Sequence, residues 1–347
     1  MVFPLTYTSV LLVAIASLIL GSVWALTVRA AGKWRFELLS IDFGLGVILG
    51  AVCIGFTLGT LGQEITVFDN LIIMRKFSIG TLVAYGALVN LGLILLLGAV
   101  STAGMALAFL AGMSLAAVTA AIGMQLVQPL MRPVYLGLGS ILLLAAVGLV
   151  AGAHGQRIRQ RDTDLLQKAV AAGMKGKLPR TSPVKGLLLA VIGGLLIGLA
   201  QPVAIWAQGR DEIGFGAYAM GILIASAFAV GTPFFSLFFL NLPVQGEPLS
   251  FTAWFKGTAR QHLLGLGGGW LWFAGLTALL LAATATPAAG MTRSLAFSLS
   301  RSSIIVGAVI GIFMNGEFAN SAPARNRAIA ALGAATAGLL VFALSRL

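Results

Sequence analysis

Long apolar stretches follow one another along the whole chain, and only short polar segments separate them. A helix needs about 20 mostly apolar residues to cross a hydrocarbon core of about 30 Å, because each residue advances it by about 1.5 Å. Lipid offers no partner to an unpaired backbone group, so stretches of this length are expected to be helical. The pattern predicts ten spans, at residues 7–28, 41–62, 78–98, 102–124, 134–153, 185–207, 215–240, 262–283, 288–313 and 326–345.

The composition strengthens this prediction. Of the 347 residues, 59% are apolar and 9% are charged, and the mean hydropathy is +1.01. An ordinary soluble domain has about 25% charged residues. The alternating segments of about ten residues that are typical of an outer-membrane barrel do not occur in this sequence. We therefore expect an all-α membrane protein.

Charge and the rarer side chains exclude several classes of function. The net charge of +12 would fit a nucleic-acid binder only if the basic residues formed a dense patch, but they lie between apolar stretches. The single cysteine, Cys53, excludes an internal disulfide and a paired-cysteine redox site. The two histidines, His154 and His262, are far apart in the sequence. We expect no nucleic-acid partner, no metal, no cofactor, no catalytic residues and no enzymatic activity.

The basic residues predict an orientation. If the segment 154–184 faces the cytoplasm, that side collects most of the 22 lysines and arginines. The positive-inside rule then places this segment in the cytoplasm and both termini outside, in a multi-pass protein of the inner or plasma membrane. The first basic residue is Arg29, so the first span lacks the basic start of a cleaved signal peptide and is expected to be retained.

The basic segment also divides the chain. It predicts a first five-helix repeat at 1–153, a basic cytoplasmic linker at 154–184 and a second five-helix repeat at 185–347. Because five is odd, related halves would lie upside down relative to one another, as in many transporters that bind substrate between the halves near the midplane. A short similarity supports this prediction, since residues 104–109 (GMALAF) match Gly290, Met291 and residues 294–297 (SLAF) at the start of each fourth helix.

Several short strings occur in a specific order along the chain. They are ELLSIDF at 37–43, GFTLG at 55–59, NLG at 90–92, AGMALAF at 103–109, HLLGLGGGWLW at 262–272 and GEF at 316–318. In this order the sequence resembles the glucose/ribose porter and ureide permease branch of the drug/metabolite transporter superfamily, over roughly residues 35–320. Leu93 and Leu110 depart from the pattern of that branch. The resemblance implies a ten-helix carrier of sugars or of purine-breakdown ureides, driven by protons.

Arg301 is the most informative single residue. An arginine inside a span is costly unless it faces a cavity or a partner. It would bind a substrate oxygen or carboxylate through its guanidinium, with Ser298 beside it at the i, i+3 spacing. The alternative is a structural arginine paired with Asp42, Glu37 or backbone carbonyls.

Other side chains within the spans could line a cavity for a polar solute. Asn90 and Gln201 lie well inside helices three and six, and Trp206 and Trp270 could stack on a sugar or a planar ring. Hydrogen bonding between helices would satisfy the same amides equally well. The Gly-xxx-Gly pairs at 46/50, 55/59, 194/198, 265/269 and 307/311 predict close helix packing.

Two carboxylates are candidates for proton coupling. A carboxylate that is partly withdrawn from water holds its proton more readily, so Asp42 and Glu317 could take up and release protons across the membrane. The alternative for Asp42 is a helix N-cap at the start of the second span.

These observations favour a secondary active transporter that takes up a small polar metabolite by alternating access. Its expected partners are the small-molecule substrate, the lipid bilayer and protons, and a homodimer is one assembly that fits. The competing interpretations are an exporter of small metabolites or drugs from the same superfamily and a membrane subunit that transports nothing.

Overall fold

A computed structural model describes residues 2–61, 65–129, 131–171, 182–211, 215–244, 246–285 and 289–345. Within these ranges the chain is helical with no strand, which confirms the all-α membrane fold class. Among the described residues, ten helices are long and apolar enough to cross a membrane. They are α1 Tyr7–Ala30, α2 Phe36–Phe56, α3 Lys76–Ala103, α4 Met105–Val127, α5 Pro133–Ala171, α6 Val184–Gly209, α7 Ala217–Asn241, α8 Ala259–Ala285, α9 Arg293–Met314 and α10 Ala322–Leu344.

Two predicted boundaries were wrong. Helix α2 runs from Phe36 to Phe56 rather than from 41 to 62, and a short helix, Val67–Ile73, begins after Thr66, which caps it through Asp69. Helix α5 continues to Ala171, so the first part of the predicted linker 154–184 is helical. Residues 156–171 contain no glycine or proline and many good helix formers, so nothing stops this helix at the expected end of the span. Residues 172–181 lie outside the described part.

Hydrogen bonds between segments define the two ends of the bundle. At one end Arg29 donates to the Asn315 carbonyl and Arg157 to the Ala103 carbonyl. We call this end the basic face; it carries residues 31–35, 104, 246–258 and 315–321, the end of α5 and the start of α6. At the opposite face the Arg75 backbone N–H donates to Asp211. The opposite face also carries the ends of α4, α6, α8 and α10 and the starts of α1 and α9.

The principal helix pairs are α1 with α8, α3 with α6, α2 with α8, and α5 with α10. In the predicted repeat, α1 corresponds to α6, α3 to α8 and α5 to α10. The α1–α8 pair of one half therefore corresponds to the α6–α3 pair, and the α5–α10 pair corresponds to itself. Gly104 and Gly290, which precede the fourth helix of each half, both have positive φ, at 106° and 71°. The inverted repeat itself stays a prediction.

Glycines bring backbones into direct contact at the principal pairs. A Cβ atom on Gly269 of α8 would lie 1.9 Å from the Phe43 carbonyl oxygen of α2, and one on Gly46 would lie 2.0 Å from the Leu266 carbonyl oxygen. A Cβ on Gly194 of α6 would lie 2.0 Å from the Gly112 carbonyl oxygen of α4. These distances confirm close packing at the predicted glycine pairs, because no other side chain leaves room for such approach.

Helices α6 and α9 are each interrupted within the bundle. Helical structure in α6 breaks at Leu199, and Pro202, which has no N–H, cannot bond the carbonyl of Gly198. In α9 the break follows Arg301, where Ser302 donates its backbone N–H to the Leu299 carbonyl and its hydroxyl to the Ser298 carbonyl. Serine back-bonding of this kind bends helices. Helices α4 and α9 also contain π-helical turns, Ala108–Met113 and Ile310–Met314, which are frequent at functional sites.

Candidate functional site

Arg301 and Gln201 meet in the interior, each next to a helix interruption. Each residue is eight positions from the end of its helix at the opposite face, a depth of about 12 Å. Arg301 is 4% exposed and Gln201 is 3% exposed. The Arg301 Nη2 donates to Gln201 Oε1 over 3.0 Å, and its guanidinium carbon lies 5.4 Å from the centre of the Phe297 ring. The Arg301 Nε has no hydrogen-bond partner within the described residues.

Two small cavities border this pair. The larger, which we call the chamber, has a volume of about 50 Å³. Residues of both halves line the chamber: Ser17, Gly21, Met113, Ile197, Ala200, Gln201, Trp272, Gly275, Leu276, Leu279, Ser300, Arg301 and Ser303. The smaller cavity, about 20 Å³, lies toward the opposite face beside Gln128, Gln201 and Arg293. The chamber has room for a few water-sized groups beside the guanidinium.

No carboxylate pairs with Arg301 in the described part of the chain. Asp42 is bound by His262 and Glu37 by Arg35, so neither supplies the structural pairing considered for Arg301. The guanidinium therefore has one amide oxygen and an aromatic ring as neighbours. A buried cation that lacks a negative partner is unusual in a structural role, because burial removes its hydration without replacing it.

Asn90 and Ser298, two of the predicted binding residues, do not line the chamber. The Asn90 Nδ2 donates to Thr232 Oγ1 over 3.0 Å and joins α3 to α7. The Ser298 hydroxyl donates to the Leu339 carbonyl and joins α9 to α10. Asn90 therefore makes the interhelical hydrogen bond that was its alternative role, and Ser298 makes one as well. Ser300 and Ser303 line the chamber in place of Ser298.

The predicted aromatic residues also lie elsewhere. Trp270 is 38% exposed on the outer surface of α8. Trp206 contacts Phe77 edge to face, and Arg210 lies 4.7 Å from its ring centre. Neither tryptophan borders the chamber, but Trp272 does. Helical spacing favours Trp272 over Trp270 as the inward-facing residue, because Gly265, Gly268, Gly269 and Trp272 repeat at three- and four-residue intervals on the face that packs inward.

Asp42 lies at the centre of a polar cluster near the basic face. His262 Nδ1 is 2.9 Å from Asp42 Oδ1 and 3.1 Å from Oδ2, and Trp254 Nε1 donates to Oδ1 over 3.0 Å. The N-cap alternative for Asp42 was wrong, because α2 begins six residues earlier and Arg35 occupies the N-cap position. The sequence analysis missed His262 in this role, since nothing in its spacing points to Asp42.

Glu317 joins the halves at the basic face. Its carboxylate accepts backbone N–H bonds from Met105 over 2.7 Å and from Ala106 over 3.0 Å, at the N-terminus of α4. The partial positive charge of a helix N-terminus suits a carboxylate. Burial nevertheless raises the pKa of Glu317 above its ordinary value, although these bonds and the charges of Arg157 and Arg29 act in the opposite direction.

A large cavity opens at the basic face, and we call it the vestibule. Its volume is about 670 Å³. Four basic and two acidic side chains line it: Arg29, Arg157, Arg161, Lys168, Asp164 and Glu317. Polar groups from α3, α5 and the 315–321 segment complete the wall, including Ser101, Thr102, Gln160, Asn315, Asn320 and Ser321. The vestibule therefore carries a net positive charge.

Three buried aromatic rings lie between the vestibule and the chamber. Trp24 lies 5.6 Å from Phe43 and 6.1 Å from Phe109, measured between ring centres, and we call these three residues the aromatic layer. On α1, Ala25 lines the vestibule and Gly21 lines the chamber, four residues or about 6 Å apart. One turn of helix and one layer of rings thus separate the two spaces.

No protein-family model and no curated protein matches this chain. Among solved structures, one described only as a crystal structure of a protein aligns over 96% of this chain and 98% of its own length, with 18% identity and a TM-score of 0.48. A likeness at this score carries no argument. The fold and the site therefore stand on the residues of this chain alone.

Proposed function

We propose that this protein is a secondary active transporter that moves a small polar metabolite by alternating access, and that it is not an enzyme. The observation that carries the proposal is Arg301, a buried guanidinium with an unpartnered N–H in a chamber between the two halves. Intramembrane charges of this kind mark substrate or ion pathways. The interruptions of α6 and α9 beside Gln201 and Arg301 fit the discontinuous helices that form such binding sites.

The arrangement of cavities supports alternating access. The vestibule is open at the basic face, and the aromatic layer closes the chamber on that side. Phe109 belongs to the π-helical turn of α4 and packs against α9, where a Cβ atom on Gly307 would lie 2.3 Å from its ring. A shift between α4 and α9 would therefore move Phe109 and connect the vestibule with the chamber.

Asp42 and Glu317 are suited to proton coupling because each one bridges the halves. Asp42, in the first half, is held by His262 and Trp254 of the second half. Glu317, in the second half, is held by the Met105 and Ala106 N–H groups of the first half. Because burial raises the pKa of Glu317, a bound proton favours the buried, bridged arrangement, and release of that proton to water favours its opening. The two halves could then separate at the basic face in a proton-dependent manner.

The remaining parts of the proposal rest on the sequence. The resemblance to the glucose/ribose porter and ureide permease branch points to a sugar or a ureide as the substrate and to uptake as the direction. The distribution of basic residues favours a cytoplasmic basic face, in a protein that we propose lies in the inner or plasma membrane.

Transport in proteoliposomes tests the proposal. Labelled glucose, ribose, allantoin and allantoate are offered to vesicles containing the purified protein, with a pH gradient imposed in either direction. We expect one compound to accumulate and a protonophore to abolish the accumulation. Arg301→Ala should lose transport, and Trp270→Ala, on the outer surface, should retain it. Absence of transport for every compound under both gradients would contradict the proposal.

A further inference from the structure

We infer that the transported compound carries an anionic group, a carboxylate or a phosphate, which binds to Arg301 in the chamber. This inference rests on the proposed transport function and narrows its substrate class. It predicts that the substrate is an acidic ureide or a sugar acid rather than one of their neutral relatives.

The first argument is the unsatisfied donor capacity of Arg301. A guanidinium has five N–H groups and no acceptor. Within the described residues one hydrogen bond is made, from Nη2 to Gln201, and the buried Nε makes none. The Nε edge of a guanidinium is one that binds two-oxygen anions through parallel hydrogen bonds. A carboxylate placed there would supply both the missing acceptor and the missing negative charge.

The second argument is the absence of acidic side chains around this edge. The described residues that line the chamber and the smaller cavity include two arginines, Arg301 and Arg293, and no aspartate or glutamate. Their other polar side chains are uncharged: serines, glutamines and Trp272. A neutral polyol could hydrogen-bond with these groups, but it would leave the charge of the buried guanidinium uncompensated.

The third argument comes from the route to the chamber and is independent of Arg301. The vestibule has four basic side chains and two acidic ones, and Glu317 already accepts two backbone N–H bonds from α4. A cavity lined mainly by one sign of charge concentrates ligands of the opposite sign. A positive vestibule one helical turn above a positive chamber favours an anion at both places.

Thermal unfolding with matched acid and neutral compounds tests this inference. The pairs are acetate with acetamide, gluconate with glucose, and allantoate with allantoin, at constant ionic strength in chloride. A ligand that binds the folded state raises the apparent Tm as its concentration increases. We expect the acid of at least one pair to raise the Tm of the wild type at least three times as much as its neutral partner. Arg301→Gln should lose this difference.

Gln201→Glu provides a second variant of nearly the same shape. It places a carboxylate within reach of Arg301, so we expect a higher Tm without ligand and loss of the response to acids. The inference is overturned if neutral compounds stabilise the wild type as well as acids do, or if Arg301→Gln responds like the wild type. It is also overturned if no acid raises the Tm while Gln201→Glu lowers it. Accumulation of a neutral sugar in proteoliposomes would overturn the anionic substrate but uphold the transporter.

Discussion

Replacing Gly269 with alanine tests the contact that joins α2 to α8. The added Cβ atom would lie 1.9 Å from the Phe43 carbonyl oxygen, 2.8 Å from the Val47 nitrogen and 2.9 Å from the Phe43 carbonyl carbon. All three neighbours are backbone atoms, so no side-chain rotation can relieve the overlap. Ordinary van der Waals contact begins at 3.4 Å. The helices must therefore separate by about 1.5 Å to bring the 1.9 Å approach to that distance.

Separation of about 1.5 Å also removes the reciprocal contact between Gly46 and Leu266 on the same seam. Overpacking of this kind typically costs about 1–3 kcal/mol. The matched control is Gly267→Ala on the same helix, where the added Cβ meets nothing within 4 Å. That change gains up to about 1 kcal/mol from better helix propensity. The same gain applies at position 269, so we expect the two variants to differ by the overpacking cost, about 1–3 kcal/mol in the free energy of unfolding.

The assay is the apparent Tm of purified protein in one detergent at one heating rate, because membrane proteins often unfold irreversibly. Gly269→Ala should unfold at a lower temperature than the wild type, and Gly267→Ala at the same or a higher one. The double variant Gly46→Ala/Gly269→Ala should cost less than the sum of its single changes, since the first already separates the helices. Equal Tm values for Gly269→Ala and Gly267→Ala would refute the packing argument.

Three further predictions concern the site. In a variant without the exposed Cys53 (Cys53→Ser), a cysteine introduced by Ser303→Cys should react slowly with a charged thiol reagent. Adding Trp24→Ala should open the aromatic layer and speed this labelling at least tenfold. Unchanged labelling would place the route elsewhere. Because burial raises the pKa of Glu317, its stabilising contribution is complete below the ordinary carboxyl pKa of 4.5 and declines as the pH rises through the raised value. The Tm difference between wild type and Glu317→Gln should therefore decrease as the pH rises above about 4.5, and a difference that grows would contradict this sign. Finally, Trp272→Ala should reduce any ligand-induced Tm shift while Trp270→Ala leaves it intact, and equal effects would contradict the placement of Trp272 in the chamber.

The ten spans could be predicted from the sequence because span length and hydropathy depend on local composition alone. The cost of burying an unpaired backbone group in lipid leaves helices as the one choice for apolar stretches of this length. Hydropathy did not predict the end of α5, because the mostly polar residues 156–171 end the apolar span without ending the helix. Arg301 could be singled out from the sequence, because a charge inside an apolar stretch is evident without knowledge of its neighbours in space.

Only the tertiary structure decided which side chains share a space. Asn90 and Ser298 lie inside spans as expected, yet each bonds to another helix, because rotation about the helix axis determines what a side chain faces. Trp270 and Trp272 are two residues apart and therefore point about 200° apart on a helix, so at most one of them could face inward. The partnership of Asp42 with His262 joins residues 220 positions apart in the chain, and no local pattern encodes such a contact.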